Sequence, residues 1–428
     1  MKIWKQALAC FLAGYMLIST SVCVQADVDM NMISEVETNN IAGWPQGPVA
    51  SSDTAVLMDA ATGILLYDKG ADVQRYPASI TKIMTCLVAL ENSSLDEEVT
   101  FTETGVRNVN ADSSNIGTKI GEIINMKDCL YALMLSSAND AAAQIAEHVG
   151  GTEQNFIDMM NQRAEKIGCT NTHFTNSSGL PDENQYSSAR DMALIFREGL
   201  KNSEFRKIVS TSKYEIQPTN MTGEARTLNN HHPMLAKGAP NYYKGCIGGK
   251  TGYTNAAGQT LVTCVKRKKG TYIVVTMHAA DIGVSINDTK ALLDYGYRNF
   301  VRKKVEGGKV LIPKDADINS LSVKEDNSPD AEGKTVQTYY YGDYYVGSAK
   351  TAQVTPTSTS TSTPVPEPEI TENTQTTQEE RQDTTEKSTV KTIPKFRKIL
   401  LIIMGVMILV LIILLIALSR KNRKYDQK

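Results

Sequence analysis

Ser79-Ile80-Thr81-Lys82 sets a hydroxyl and an amine three residues apart, behind Pro77-Ala78 and ahead of an apolar run, Ile83-Met84 then Cys86-Leu87-Val88. Proline is tolerated in a first helical turn because the N–H it lacks would be unpaired there. The spacing therefore predicts a helix start with Ser79 and Lys82 on one face. Serine is a poor nucleophile at neutral pH until a base removes its proton, and a lysine kept neutral by desolvation or by a second cation can be that base. Alone the pattern is common on amphipathic helices, where it is an N-terminal hydroxyl followed by a solvated lysine. Two further elements, in order, change the reading. Ser137-Ala138-Asn139 follows a predicted helix over 130–135, and Lys250-Thr251-Gly252 lies between a glycine-containing run, 245–249, and a strand-like segment, 259–265.

Ser-x-x-Lys, Ser-Asp-Asn and Lys-Thr-Gly in that order are the signature of class A β-lactamases and penicillin-binding proteins; here the middle element is Ser-Ala-Asn. With their flanks, the blocks 77–85, 137–141, 173–181 (His173 to Pro181), 188–193 (Ser188 to Ala193) and 250–258 resemble the D-alanyl-D-alanine carboxypeptidases, low-molecular-weight penicillin-binding proteins of bacteria, over about 49–300. The resemblance implies a serine peptidase that removes the terminal D-alanine from peptidoglycan stem peptides and is acylated by β-lactam antibiotics. It implies Ser79 as nucleophile, Lys82 as its base and Ser137 as proton relay. Lys250 would supply positive potential, Asn139 would bond the substrate amide, and Thr251 would help hold the terminal carboxylate. Gly252 and Tyr253 complete the substrate site, the backbone N–H groups of Ser79 and Tyr253 forming an oxyanion hole. Two positions depart from the family's pattern: Tyr253 stands where many relatives have a histidine, and His231 near where some have an arginine that meets the carboxylate.

The elements that must hold these residues read as α+β. Residues 54–59 and 64–67 around Ala61-Thr62-Gly63 predict one hairpin, and 259–265 with 272–276 around Arg267-Lys268-Lys269-Gly270 a second. Helical patterns cover 141–149, 155–167, 189–200 and 290–300. The expected architecture is a β-lactamase/DD-peptidase-like antiparallel sheet flanked by helices with a helical subdomain. A small β module over 301–348 follows, with strands at 309–312 and 335–341; its tyrosines, Tyr339 to Tyr341, Tyr344 and Tyr345, read as strand packing, with a glycan or membrane surface as the alternative.

Around this core, 1–26 has the charged start, apolar centre and small-residue end of a secretory signal, and 27–48 is a mature leader to the catalytic region, 49–300. Residues 349–394 turn to Ser, Thr, Pro, Gln and Glu and are expected to be a disordered stalk. Within 395–419, the apolar run 399–418 has the length of one transmembrane helix. Arg420, Lys421, Arg423 and Lys424 place the tail, 420–428, inside the cell. The expected location is the bacterial cell membrane, single-pass, with the catalytic region outside. Near-balanced charge, 45 Lys and Arg against 47 Asp and Glu, argues against a nucleic-acid partner. Cys86, Cys129, Cys169, Cys246 and Cys264 remain after the signal, an odd set without disulfide spacing. No Cys/His group has metal-ligand spacing, so no metal or cofactor is expected.

Three rivals stay open. A β-lactamase shares the motifs but needs a deacylating glutamate, and only Asp182 and Glu183 offer a carboxylate in the comparable loop, in a different context. A DD-transpeptidase or endopeptidase would share the acyl-enzyme. An inactive penicillin-binding wall sensor would need a larger cytoplasmic part than 420–428.

Overall fold

The computed structural model describes residues 35–326, except 108 and 110–112, and residues 335–350. The expected signal, span and tail lie outside them, and so does the expected stalk, 349–394, apart from Ala349 and Lys350, which belong instead to the last strand of the small β module because they pair there with Gln337 and Val336. The first strands, β1 (Thr54–Asp59) and β2 (Leu65–Lys69), form the predicted hairpin. Its turn is closed by Asp59, whose carboxylate accepts from the backbone N–H and the hydroxyl of Thr62, with Gly63 at φ 81°. Two short antiparallel pairs follow in the helical region: β3 (Glu98–Thr100) with β4 (Ile123–Asn125), and β5 (Lys213–Ile216) with β6 (Arg226–Asn229). The chain then returns as β7 (Cys246–Thr254), β8 (Gly258–Arg267) and β9 (Gly270–Ala279), completing an antiparallel sheet of order β2-β1-β9-β8-β7.

Successive side chains of a strand point to opposite faces, and this sheet is covered on both. Val56, Met58, Val262, Cys264, Ile273 and Val275 join the core that contains the helices Lys82–Asn92 and Ala189–Gly199. Their neighbours Ala55, Leu57, Leu261, Val265, Tyr272 and Val274 pack instead with Leu292 and Leu293 of the helix Ile282–Asn299. That helix begins eight residues before the expected 290, capped by Asp281, whose carboxylate accepts from Val284 N–H. The helix Lys82–Asn92 is buried from Lys82 through Ala89. A helix buried around most of its circumference belongs in the interior, and it packs there against the helices Met126–Leu135, Asn139–Gly150 and Ala189–Gly199, the last of which lies on β1 and β9.

Five further strands follow: β10 (Phe300–Val305), β11 (Gly308–Pro313), β12 (Ser322–Asp326), β13 (Val336–Tyr341) and β14 (Tyr344–Lys350), pairing as β10-β11 and β12-β13-β14. They pack on the sheet domain through aromatic contacts. Trp44 lies 5.0 Å from the rings of both Phe300 and Tyr344 and donates its indole N–H to Leu66 O, while Tyr344 donates its hydroxyl to Leu65 O.

Candidate active site

Ser79 stands on a 3-10 turn, Ala78–Thr81, that runs directly into the helix Lys82–Asn92. In this tighter helix residues three apart eclipse each other, and Lys82 Nζ lies 2.9 Å from Ser79 Oγ. The turn is held from two sides. Thr260 of β8 donates its hydroxyl to Pro77 O, and the loop 176–179 closes over Ala78 so tightly that a Cβ on Gly179 would come 1.8 Å from Ala78 O. Gly179 has φ +87°, and Asn176 Oδ1 accepts from its N–H and from that of Ser178.

Lys82 is fully buried and has two further oxygen neighbours, Asn139 Oδ1 at 2.7 Å and the backbone oxygen of Ser178 at 2.6 Å. Both are pure acceptors. A neutral amine has two N–H bonds and one lone pair; with both N–H groups directed at these acceptors, the lone pair faces Ser79 Oγ. The electrostatics favour that neutral form. Burial, and then the positive charge of Lys250, hold the Lys82 amine well below its ordinary value, against a smaller opposing pull from Asp140.

Ser137 follows the helix Met126–Leu135 with φ 59°, a left-handed conformation uncommon for serine. Its Oγ accepts from Lys250 Nζ at 3.0 Å. Lys250 also donates to Thr251 O, and burial pulls its amine down to about 7. Asn139 opens the helix Asn139–Gly150; the other end of its side chain, Nδ2, donates to Ser113 Oγ at 2.7 Å. Asp140, on the next position, is buried and accepts from the N–H groups of Ile116 and Thr118, which ties the loop carrying Ser113 to this helix.

The Lys-Thr-Gly segment is itself strand, within β7. Gly252 lets it approach: a Cβ there would lie 2.8 Å from the backbone nitrogen of Ser79. Tyr253 is exposed and donates its hydroxyl to Asn255 Oδ1. His231 donates its backbone N–H to Leu135 O, and burial with the Lys250 charge lowers its ring pKa. The structure thus brings Ser79, Lys82, Ser137, Asn139, Lys250 and Gly252 together, with Thr251 and Tyr253 on the same strand as Lys250. Sequence reasoning did not find Ser178, Asn176 or Ser113. The first two fall in the block 173–181 that carries the resemblance, while nothing in the sequence around Ser113 marks it.

The sequence model of the family described as D-alanyl-D-alanine carboxypeptidase matches residues 42–281. The chain belongs to that family. Among D-alanyl-D-alanine carboxypeptidases it is 31% identical to DacF of Bacillus subtilis over 300 residues, 69% of this chain and 72% of that protein. It is 32% identical to a Streptomyces D-alanyl-D-alanine carboxypeptidase over 259 residues, 58% of this chain and 88% of that one. Of solved structures, a Streptomyces DD-transpeptidase superposes with a TM-score of 0.56 at 31% identity, covering 59% of this chain and 99% of that one. The D-alanyl-D-alanine carboxypeptidase of Mycobacterium tuberculosis gives 0.54 at 29% identity, covering 60% and 95%.

Proposed function

We infer that this chain is a serine-type D-Ala-D-Ala carboxypeptidase acting on peptidoglycan stem peptides and acylated by β-lactams. The observation that carries the mechanism is the amine of Lys82, held by two acceptors with its remaining direction on Ser79 Oγ. Ser79 Oγ attacks the carbonyl between the two D-alanines while its proton moves to Lys82 Nζ. The oxygen of the tetrahedral intermediate is met by the backbone N–H groups of Ser79 and Tyr253, donors of the kind that each matter by roughly 3 kcal/mol. The C–N bond breaks as a proton passes through Ser137 to the leaving amine, releasing D-alanine. Water then attacks the Ser79 ester, giving its proton to Lys82, and restores the hydroxyl.

Lys250 and Thr251 receive the substrate's terminal carboxylate, the cation of Lys250 also keeping Lys82 neutral. Asn139 reaches the substrate amide by exchanging its bond to Ser113, since both ends of its side chain are engaged. In a β-lactam the broken amide leaves both halves attached to Ser79, so the product stays in the site. A test is mass mapping after incubation with labelled penicillin, for which one adduct on Ser79 is expected; an adduct on another residue refutes the assignment.

The Streptomyces relative is named a carboxypeptidase among curated proteins and a DD-transpeptidase among solved structures. The same acyl-enzyme serves both reactions, water or an amine being the acceptor. Analysis of products with and without an added amine acceptor separates them.

The location proposed from the sequence is a single-pass protein of the bacterial cell membrane: signal 1–26, stalk from 351 to 394, span within 395–419, catalytic region outside. The apolar run 399–418 and the composition of the stalk support it. Deleting residues 399–428 is expected to release active enzyme from cells; truncated protein that stays membrane-bound contradicts this.

A further inference from the structure

At the end of the sheet away from Thr254, the lead-in to β7 and the β8–β9 turn form an open pocket of about 690 Å³ lined by Lys244, Gly245, Lys266, Arg267, Lys268, Lys269 and Tyr297. At about 3.3 Å per strand residue it lies on the order of 15 Å along β7 from Lys250. Five of its seven lining residues are cations, and no carboxylate lines it. Among the described residues none of the five makes an ion pair. The sequence around it is equally one-sided: no Asp or Glu stands between Glu224 and Asp281, in a chain whose acidic and basic residues otherwise balance.

The arginine of the pocket is held in place. Arg267 lies with its guanidinium carbon 4.5 Å from the ring centre of Tyr243 and 4.7 Å from that of Tyr297, and it donates its Nε–H to Lys244 O. Both rings are fixed in turn: Tyr243 donates its hydroxyl to Asp294, and Tyr297 donates to the carbonyls of Val265 and Gly270. Gly245, at φ +91°, brings the lead-in against β8, where a Cβ would meet Lys266 O at 2.7 Å. Lys269 donates to Tyr297 O, which sets that chain against the wall. Lys244, Lys266 and Lys268 are exposed at the rim.

Five like charges around one concavity repel one another, and a multiply charged anion relieves all of them at once. A planar guanidinium stacked on aromatics and ringed by point-charge lysines suits phosphate oxygens. The volume falls within the range of about 300–1,000 Å³ usual for small-ligand sites, room for more than one such group. We propose that this cavity binds a linear ligand bearing two or more successive phosphate groups, outside the peptidase site. A pocket with a half-buried arginine and exposed lysines around it fits a chain that enters it better than a flat lipid surface. The proposal does not rest on the peptidase reading, and its test does not use hydrolysis.

The test is calorimetric titration of the full chain in neutral detergent micelles with inorganic tripolyphosphate at low salt, alongside the double variant K266A/K268A and its charge-keeping counterpart K266R/K268R. The expected result is saturable binding by the wild type, weakened at least about tenfold by the alanine pair and kept by the arginine pair. Because mobile ions screen charges over about 10 Å at 0.1 M salt, it should also weaken steeply as salt is raised. Unchanged penicillin labelling of Ser79 in both variants shows that they are folded. Absence of binding, equal binding by the alanine pair, or inorganic phosphate binding as tightly as tripolyphosphate overturns the proposal. So does displacement of tripolyphosphate by phosphatidylglycerol doped into the micelles, which assigns the cavity to a lipid surface.

Discussion

Replacing Asn139 by aspartate tests the orientation of the Lys82 amine with little change of shape. The carboxylate oxygen would sit where Oδ1 now accepts from Lys82 Nζ at 2.7 Å, and Ser113 Oγ, 2.7 Å from the other end, can reverse and donate. A unit negative charge at that separation, at an effective dielectric of about 20, favours the ammonium by about 6 kcal/mol, or roughly 4 pKa units. Burying the new carboxylate opposes this by several kcal/mol, leaving a net upward shift on the order of 2 units. Asn139→Asp therefore shifts Lys82 towards its protonated form, in which the lone pair needed by Ser79 is absent. Rates of penicillin acylation measured from about pH 6 to 10 should show the variant about 100-fold slower near neutrality and recovering as pH rises. A profile parallel to the wild type at all pH values would refute the reasoning, since it would mean that Asn139 acts on substrate alone.

Other consequences follow from the same site. Lys250 has its pKa lowered to about 7 from 10.5, so between those values the unfolded chain binds the extra proton and stability is lost as pH falls through the window. Lys250→Met removes this term: in denaturant titrations it should be more stable than the wild type near pH 7, with the gap shrinking by about 2 kcal/mol by about pH 9. A constant gap would show that burial does not depress this lysine. Gly179→Ala forces a Cβ onto Ala78 O and a left-handed alanine, displacing the loop that offers Ser178 O to Lys82. Acylation of Ser79 should fall at least about 100-fold in a protein that still folds, and a near-normal rate would show that the loop is not what holds the amine. Lys82→Ala should slow acylation by orders of magnitude while leaving Ser79 as the attachment point, because the base is lost and the nucleophile stays; labelling at another residue would contradict it.

What the sequence displayed was chemistry and periodicity. The short apolar runs within 54–59, 259–265 and 272–276 reported strands, and the largely apolar stretch after Lys82 reported a helix. What it hid was carried by backbone. Cys246–Thr254 holds three glycines and little β propensity; it becomes strand because β8 pairs with it from Val265 to Gly258. Ser178 serves through its carbonyl, which any residue type possesses, and Ser113 through a hydroxyl brought close by Asp140 and its loop. The 3-10 turn at Ala78–Thr81 was likewise invisible, since Pro-Ala-Ser-Ile-Thr-Lys suits an ordinary helical start as well. The amphipathic helix Ser203–Ser210, capped by Asn202, was legible in principle but was masked by its shortness.

The central claim is that Ser79, activated by Lys82, cleaves the bond between two terminal D-alanines. The direct measurement is release of free D-alanine from a peptide ending in D-Ala-D-Ala by the purified protein and by Ser79→Ala. The account predicts catalytic release by the wild type, none by the variant, and a shortened peptide as the partner product. A folded wild type that takes penicillin on Ser79 yet releases no D-alanine at high enzyme concentration would contradict it, and so would release that survives the loss of Ser79.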